Sequence, residues 1–399
     1  MAPTSPVLAE LRGHEVPAWW RDAGLGIFIH WTPASVPGWA PTDRDLLDIL
    51  TAKGPHPFAE MPYTEWYQNS LRFPDSSVSR FHRERYGDRA YETFADDFNA
   101  GLDRWDPAGW AEQFAAAGAR YVVLVTKHHD GFCLWPSDVP NPHRPGWHTE
   151  RDVVGELADA VRAAGMRFGV YYSGGLDWTF DDRPIPTMAA GAAAVPQGDY
   201  PAYAAAHVRE LIERYQPSVL WNDIAWPQPA DDLWPLLRDY YRAVPDGVVN
   251  DRWLPWSRLN TALRVGPLRR LADAALRRAA TKSKGLVPPK PPHFDVRTPE
   301  YTALDERPPW PWECVRGMDR SFGYNRNSRP EHFLARDELL STLESINANG
   351  GNLLLNVGPR GEDAAIPAEQ VERLAWLAQA ASGGRSGGGS GGGLGGGSG

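Results

Sequence analysis

Short apolar runs recur along this chain, and each is rich in β-branched or aromatic residues. Strands that are buried on both faces have such nearly continuous apolar runs, because neighbouring elements cover each side of the sheet. The pattern therefore predicts the strands of a parallel sheet. The six clearest runs are residues 25–31, 120–129, 166–173, 218–223, 247–253 and 352–359.

Helical patterns separate these runs. The stretches 152–165 and 335–350 both end at glycine, the residue that most often follows the last turn of a helix. Alternating strands and helices imply a parallel sheet with right-handed crossovers, and more than five such units favour a closed barrel over an open sheet. We therefore predict an α/β fold, a (β/α)8-like TIM barrel, although the pattern alone does not count eight strands. The predicted helices are 106–119, 152–165, 203–215 and 335–350.

Two segments depart from this pattern. Residues 258–292 look like an insertion that is first basic and then rich in proline. Its basic part predicts either an amphipathic helix over the barrel mouth or a solvated surface helix, and we favour the second. Residues 383–399 are almost entirely glycine and serine, which predicts a flexible linker or tag. The remaining residues, 1–382, are predicted to form one barrel domain, and their number suits that fold.

Charge and cysteine content exclude several classes of protein. A net charge of −9 at pH 7 repels a phosphate backbone, so nucleic acid is not an expected partner. The two cysteines, Cys133 and Cys314, form neither a disulfide framework nor, by themselves, a structural zinc site. The first residues lack the pattern of a signal peptide, and no apolar run approaches the ~18 residues of a membrane span. We therefore expect no membrane partner and favour the cytoplasm, although a secreted form without its leader would look the same.

Aromatic residues are unusually frequent, and 18 of them are tryptophan. Flat rings cover the apolar C–H faces of a pyranose, so soluble enzymes that are rich in tryptophan often act on sugars. A large aromatic core is the alternative explanation. Composition alone leaves both open.

Polar side chains follow the predicted strands at the point where each strand ends. In a (β/α)8 barrel these ends point to one face, which holds the active site. Buried polar groups also need hydrogen-bond partners, so polar residues at the ends of buried strands require a structural or functional explanation. The residues in question are His30, His128, His129, Tyr171, Tyr172, Asp223, Asp251 and Arg252.

Asp223 follows Trp221 and Asn222 at the end of an apolar run. A partly desolvated carboxylate at a barrel mouth suits a nucleophile that attacks an anomeric carbon, but such an aspartate could also cap the next helix. Glycoside hydrolysis needs a second carboxylate, about 5–5.5 Å away for retention or ~6.5–9.5 Å away for inversion. The sequence alone does not choose among Glu65, Asp251, Glu300, Glu306 and Glu313.

The sequence gives little support for the binding of a metal ion or a nucleotide. Adjacent residues on a strand point to opposite faces, so His128 and His129 are not expected to share one ion. HxH and HExxH motifs are absent, and a role in binding sugar hydroxyls suits the pair better, with a purely structural role as the alternative. Outside the Gly/Ser tail neither GxGxxG nor GxxxxGK[ST] occurs, which disfavours nucleotides. We predict neither a metal nor a cofactor.

Five segments, in order along the chain, resemble the family 29 glycoside hydrolases, the α-L-fucosidases. The resemblance extends from about residue 19 to residue 367, and KHHDGFCLWPS and GGNLLLNVGP are its most specific motifs. The segments are WWRDAGLGIFIHWTPASVPGWAP, ARYVVLVTKHHDGFCLWPS, FGVYYSGGLDW, VLWND and GGNLLLNVGPRGED.

The resemblance implies a barrel, retention of configuration, no metal, and release of terminal α-L-fucose from a fucosylated oligosaccharide or glycoconjugate. By motif, the nucleophile falls on Asp223 and the acid/base on Glu300, with Glu313 as the alternative. The β-sandwich that usually follows the barrel in this family has no counterpart before the Gly/Ser tail. The resemblance does not imply an oligomeric state.

The family's sugar-binding positions are carried over in the same way. Hydroxyl contacts are expected from histidine, glutamate, tryptophan N–H and arginine, and an apolar wall for the C5 methyl group from tryptophan and phenylalanine. The polar contacts should contribute most of the discrimination. The positions are His30, Glu65, Trp66, His128, His129, Tyr171, Trp221, Arg252 and, for the methyl wall, Phe322.

The chain is thus predicted to be a retaining exo-α-L-fucosidase that works by double displacement, with transfucosylation as a possible second outcome. One alternative is another retaining exoglycosidase on the same barrel, acting on a galactoside that shares the hydroxyl arrangement. The other is a catalytically inactive fucose-binding lectin. A substrate panel separates the first alternative, and the presence of all the candidate carboxylates disfavours the second.

Overall fold

A parallel sheet of seven strands forms the centre of the molecule. The computed structural model describes residues 5–283, 286, 289–302, 304 and 306–386. The sheet order is β5-β4-β3-β2-β1-β7-β6, so the first and last thirds of the chain meet at β1 and β7. The strands are β1 (Leu25–Ile29), β2 (Tyr121–Lys127), β3 (Arg167–Ser173), β4 (Val219–Asp223), β5 (Val248–Val249), β6 (Trp312–Gly317) and β7 (Gly351–Val357).

All six predicted strands are present, and each is shorter than predicted. The one strand in the sheet that the sequence pattern did not predict is β6. Its sequence, WECVRG, carries Glu313 and Arg316 among its apolar residues. Because these charged residues interrupt the apolar run, the segment did not have the pattern of a doubly buried strand. Most of β6 is buried nevertheless, since Glu313 has partners inside the barrel.

An irregular segment, residues 295–301, occupies the gap between β5 and β6. On one side the N–H of Val296 donates to the carbonyl of Val249, at 3.3 Å. On the other side the N–H of Glu313 donates to the carbonyl of Arg297, at 2.9 Å. Seven strands and this segment therefore complete the ring, and the predicted (β/α)8-like architecture is confirmed with one position that is not a regular strand.

Helices surround the sheet, and the four predicted ones are confirmed as α7, α8, α10 and α14. Gly165 and Gly350, which follow α8 and α14, have φ of +79° and +70°, the left-handed conformation expected at these positions. The helices are α1 (Pro6–Leu11), α2 (Ala18–Arg21), α3 (Leu46–Thr51), α4 (Tyr67–Leu71), α5 (Ser77–Tyr86), α6 (Phe94–Gly101), α7 (Pro107–Ala116), α8 (Val153–Ala163), α9 (Met188–Ala193), α10 (Tyr200–Tyr215), α11 (Ala230–Ala243), α12 (Arg258–Ala262), α13 (Gly266–Ser283), α14 (Arg336–Ala348) and α15 (Ala368–Ser386).

The strands alternate their side chains between two apolar layers. In β2, Val122 and Leu124 pack against the surrounding helices, whereas Tyr121, Val123 and Val125 belong to the cluster inside the barrel. This alternation is the period of two that an extended strand imposes. No helix among the described residues is both long and apolar enough to cross a membrane.

The basic segment forms α12 and α13, and it differs from the solvated surface helix that we favoured. Asp273 on α13 is buried and accepts hydrogen bonds from the Thr187 hydroxyl and the Ala189 N–H, both at 3.0 Å. The opposite face carries Leu271, which is 70% exposed. One side of α13 therefore packs beside the barrel mouth. The backbone of α15 extends to residue 386, and residues 387–399 of the predicted linker lie outside the described residues.

Candidate active site

A cavity of about 270 Å³ opens at the carboxyl ends of the strands. It is the place where a barrel fold is expected to carry its active site. Most of the side chains singled out in the sequence meet here, and Glu313 does not line the cavity. The predicted site residues that line it are His30, Glu65, Trp66, His128, His129, Tyr171, Trp221, Asp223, Arg252, Glu300 and Phe322.

The carboxylate of Asp223 is held by three donors. Oδ2 accepts a hydrogen bond from the Tyr171 hydroxyl at 2.8 Å. Oδ1 accepts one from the Arg252 guanidinium at 2.9 Å and one from the N–H of Ile224 at 2.8 Å. Helix α11 begins only at Ala230, so the alternative that Asp223 caps the next helix is wrong.

The backbone just after Asp223 is strained. Ile224 has φ of +69°, a conformation that β-branched residues rarely adopt. This turn allows the Ile224 N–H to donate to the carboxylate one residue earlier. Strain of this kind persists only where the surrounding structure enforces it, and it is frequent at functional sites.

Arg252 connects Asp223 to a second carboxylate. One terminal nitrogen of its guanidinium donates to Asp223, and the other donates to Oε1 of Glu300 at 2.6 Å. The hydroxyl of Tyr63 lies 3.5 Å from Oε2 of Glu300. Burial raises the pKa of Glu300, and the charge of Asp223 raises it further, whereas Arg252 lowers it. Two carboxylates therefore share one planar cation in one cavity.

Glu313 lies beneath this cavity, inside the barrel. Its Oε2 accepts a hydrogen bond from the Tyr121 hydroxyl at 2.7 Å, and its Oε1 accepts one from Nε1 of Trp221 at 3.1 Å. Burial raises the pKa of Glu313 to about 7. The N–H of Trp221 is thus engaged below the cavity, and only the ring of Trp221 can serve a sugar, contrary to the expected N–H contact.

The same packing explains a glycine in β1. Tyr121 reaches Glu313 by crossing the barrel beside Gly26, where a Cβ would lie 2.3 Å from the tyrosine ring. Any side chain at position 26 would displace this ring and its hydrogen bond to Glu313. Gly26 therefore leaves the space that Tyr121 needs to reach Glu313 beneath the cavity.

Two histidines of the cavity, His30 and His129, have an unprotonated Nε2 when they are neutral. Nδ1 of His30 lies 2.5 Å from the side-chain oxygen of Asn356, whose amide nitrogen donates to the carbonyl of Phe322. Nδ1 of His129 lies 2.7 Å from the hydroxyl oxygen of Ser173, which itself donates to a backbone carbonyl. In both rings Nδ1 is therefore the donor and Nε2 the acceptor. Burial lowers the pKa of His30 to about 4 and that of His129 well below its ordinary value.

His128 and His129 do not point to opposite faces, so that expectation was wrong. Both residues follow the last residue of β2, where the strand alternation no longer applies, and their ring centroids lie 4.0 Å apart. Each offers a nitrogen within 4.8 Å of a carboxylate oxygen of Asp223. Nδ1 of His128 has no hydrogen-bond partner among the described residues. The prediction of no metal rests on the sequence motifs and stays a prediction.

Aromatic and acidic groups from outside the strand ends complete the cavity. Glu65, in a single helical turn, accepts a hydrogen bond from the N–H of Gly323 at 2.9 Å, and burial raises its pKa to about 7. The edge of Trp66 meets the ring of His129 at 5.2 Å, and Phe322 stacks on His30 at 5.0 Å. The cavity thus combines hydrogen-bonding groups with flat apolar walls.

Sequence reasoning missed several residues of this site. Tyr63 lines the cavity beside Glu300, and no pattern marked it. Asn356 could have been recognised, because an amide within the apolar run of β7 needs a buried partner. Tyr172, one of the polar residues at strand ends, faces the other way, with its hydroxyl 3.3 Å from Nδ1 of His207. The strand alternation separates it from Tyr171.

Comparison with known proteins agrees with this site. The sequence model of the family described as Alpha-L-fucosidase matches residues 2–380. The chain belongs to the alpha-L-fucosidase family. A tissue alpha-L-fucosidase of Mus musculus is 30% identical over 387 residues, which cover 94% of this chain and 72% of the mouse protein. The resemblance inferred from the motifs is confirmed, and the protein is a glycoside hydrolase of the alpha-L-fucosidase type.

Solved structures give the same result. An alpha-L-fucosynthase of Thermotoga maritima, in complex with alpha-L-Fuc-(1-2)-beta-L-Fuc-N3, is 42% identical, with a TM-score of 0.78 over 94% of this fucosidase chain and 76% of that chain. The Thermotoga maritima alpha-fucosidase in complex with a mechanism-based inhibitor is 42% identical, with a TM-score of 0.75 over 93% and 75% of the two chains. The fold and the family of the chain are therefore established together.

Proposed function

We propose that this fucosidase cleaves terminal α-L-fucosides with retention, using Asp223 as the nucleophile and Glu300 as the acid/base. The observation that carries the proposal is the pair of hydrogen bonds from one guanidinium, that of Arg252, to both carboxylates. A retaining enzyme needs its two carboxyl groups about 5–5.5 Å apart, and a shared planar cation favours such close spacing over a gap that holds a water molecule. The inhibitor complex of the related Thermotoga maritima enzyme is consistent with this chemistry.

The reaction takes two displacements. First, Asp223 attacks the anomeric carbon from the side opposite the leaving oxygen, while Glu300 gives its proton to that oxygen. The products are a β-fucosyl ester of Asp223 and a free alcohol. Second, Glu300 takes a proton from water as the water attacks the same carbon, which releases α-fucose and restores both side chains.

The surroundings of each carboxyl suit its role. Three donors keep Asp223 oriented, and two of them carry no charge. Glu300 is buried and lies near the negative charge of Asp223, and both conditions raise its pKa and favour the protonated form that a general acid needs. Glu313 lacks access to the cavity, which supports Glu300 over the alternative.

The walls of the cavity match the substrate that the family implies, a fucosylated oligosaccharide or glycoconjugate. Bare Nε2 atoms of His30 and His129 accept hydrogen bonds from sugar hydroxyls, and Arg252 donates them. Phe322 supplies an apolar surface for the C5 methyl group, where a galactoside would place a hydroxymethyl group. A methyl contact contributes only ~1–3 kcal/mol, so discrimination rests mainly on the hydroxyl contacts.

Chemical rescue tests these roles. Wild type, Asp223→Ala and Glu300→Ala are assayed with 4-nitrophenyl α-L-fucoside, with and without azide. We expect Asp223→Ala to lose turnover and to yield β-fucosyl azide on rescue, and Glu300→Ala to yield α-fucosyl azide. The matched control is Glu313→Gln, which should need no rescue. If α-fucosyl azide arises from a Glu313→Ala variant instead, the acid/base lies at Glu313. Cleavage of galactosides but not fucosides would reject the proposed substrate.

A further inference from the structure

Glu300 borders two cavities. Besides the cavity described above, it lines a second one of about 330 Å³. Tyr301, the next residue, lines only the second cavity. Its φ of +51° is left-handed, so the backbone turns sharply between the two residues. The N–H of Tyr301 donates to the carbonyl of Val315 at 2.9 Å, which anchors this turn to β6.

The position of a general acid locates the leaving group. An acid that protonates the glycosidic oxygen must lie beside the bond that breaks. With fucose in the first cavity against Asp223, the rest of the glycan extends past Glu300, and the second cavity lies there. We propose that the second cavity binds the sugar to which fucose is attached, and that this sugar is a neutral, hydroxyl-rich saccharide. The inference rests on the acid/base role proposed for Glu300.

The lining of the second cavity supplies a sugar's usual partners. The guanidinium of Arg316 lies 5.7 Å from the Tyr301 ring centroid and donates through Nε to the carbonyl of Gly317, at 3.3 Å. No carboxylate among the described residues forms an ion pair with Arg316, so its terminal N–H groups are available to hydroxyls. The rings of Tyr301 and Phe333 offer apolar surface for C–H faces.

Charge argues for a neutral ligand. Acidic side chains at the cavity outnumber the two arginines, Arg316 and Arg320, so an anionic sugar would meet net repulsion. Carboxylates accept hydrogen bonds from hydroxyls, and arginines donate them, so the two kinds of group together suit a polyol. Besides Glu300, which is protonated when the substrate binds, the acidic residues are Asp45, Asp319, Glu331 and Glu338.

The test compares substrates that differ only beyond the fucose. For wild type and Arg316→Ala, kcat/KM is measured with 4-nitrophenyl α-L-fucoside and with the best substrate of a panel of neutral fucosyl disaccharides. We expect the ratio of disaccharide to aryl kcat/KM to fall about tenfold or more in Arg316→Ala, as for the loss of a charged hydrogen bond. Arg336→Ala is the matched control, because the exposed Arg336 lines neither cavity and its ratio should stay at the wild-type value.

A second measurement does not depend on the stability of one variant. With the aryl fucoside as donor, transfer to glucose is compared with transfer to glucuronic acid, for wild type and for Glu338→Trp, which is designed to fill the second cavity. Wild type should prefer glucose, and Glu338→Trp should divert the fucosyl-enzyme to water. An unchanged ratio in Arg316→Ala, an equal loss on both substrates, or preferred transfer to glucuronic acid would overturn the inference. Failure of wild type to cleave any fucoside would instead overturn the proposed function and this inference with it.

Discussion

Nδ1 of His30 lies 2.5 Å from the side-chain oxygen of Asn356, and this contact leaves the cavity-facing nitrogen of a neutral His30 as an acceptor. His30 follows β1 and Asn356 lies in β7, and these two strands pair where the first and last parts of the chain meet in the sheet. A buried amide within an apolar strand thus sets the protonation pattern of a residue that faces the substrate.

Replacing this amide by a carboxylate should make binding depend on pH. In Asn356→Asp the new charge raises the pKa of His30 from about 4, so the ring becomes protonated as pH falls and loses its acceptor at Nε2. We expect kcat/KM of the variant to fall about tenfold between pH 7 and pH 5, relative to wild type, through a higher KM. Michaelis–Menten kinetics across this range measure the effect. A parallel pH profile for wild type and variant would show that His30 does not accept a hydrogen bond from the substrate.

The raised pKa of Glu300 predicts the alkaline side of the pH profile. A general acid must be protonated, so kcat/KM falls as pH rises through the pKa of Glu300. Burial and Asp223 place this pKa above its ordinary value. We expect Glu300→Ala to lose this alkaline limb and to lose about 10²–10⁴-fold in rate on substrates with poor leaving groups. The loss on an aryl fucoside should be smaller, because nitrophenolate leaves without a proton. If kcat/KM of Glu300→Ala still fell at alkaline pH, the decrease would have to come from another titrating group.

Glu313 should lower stability as pH rises. Its pKa is about 7 in the folded protein and near 4.5 in the unfolded chain, so between these values the unfolded chain ionises first. Folding stability therefore falls between pH 4.5 and pH 7, and this one group contributes a loss on the order of 3 kcal/mol. Glu313→Gln keeps a hydrogen-bonding side chain between Tyr121 and Trp221 and should flatten that part of the curve. Urea unfolding at a series of pH values measures it, and a Glu313→Gln curve as steep as that of wild type would contradict the assignment.

A buried ion pair supports the loop beside the histidines. Nζ of Lys127 lies 2.8 Å from Oδ2 of Asp177, and both side chains are completely buried. The same carboxylate accepts hydrogen bonds from Thr179 at its other oxygen. Removing one partner leaves a buried charge alone, so Lys127→Met should cost about 3–5 kcal/mol in the free energy of unfolding.

The double variant Lys127→Met/Asp177→Asn tests this explanation. Because neither charge remains, it should recover part of the stability lost in Lys127→Met alone. Equilibrium unfolding in urea measures Lys127→Met, Asp177→Asn and the double variant. Additive losses in the double variant would show that the two side chains do not act as a pair.

The barrel was predictable from the sequence because its central strands are covered on both faces. Runs such as that of β2 are apolar throughout, and the pattern survives in a single sequence. Strand β6 was not predictable, because Glu313 is acceptable inside the barrel only with Tyr121 and Trp221 on it. Those partners come from elsewhere in the chain, and local pattern does not show them.

The candidate site was predictable where strand ends define it. His30, Tyr171 and Asp223 could be placed together, since parallel strands end at one face. The orientation of individual side chains was not predictable. Beyond the end of β2 the chain no longer alternates, so His128 and His129 both turn into the cavity, and the N–H of Trp221 turns away from it.

The two proposed catalytic carboxylates stand on different supports. Asp223 ends a regular strand within the sheet, whereas Glu300 belongs to the irregular segment 295–301, which follows the insertion at 258–292. The position of the nucleophile is therefore fixed by the sheet, and a change of chain length before Glu300 can be accommodated without displacing Asp223. Of the two carboxyl groups, the proton donor is therefore the one whose position depends on the segment outside the regular strands.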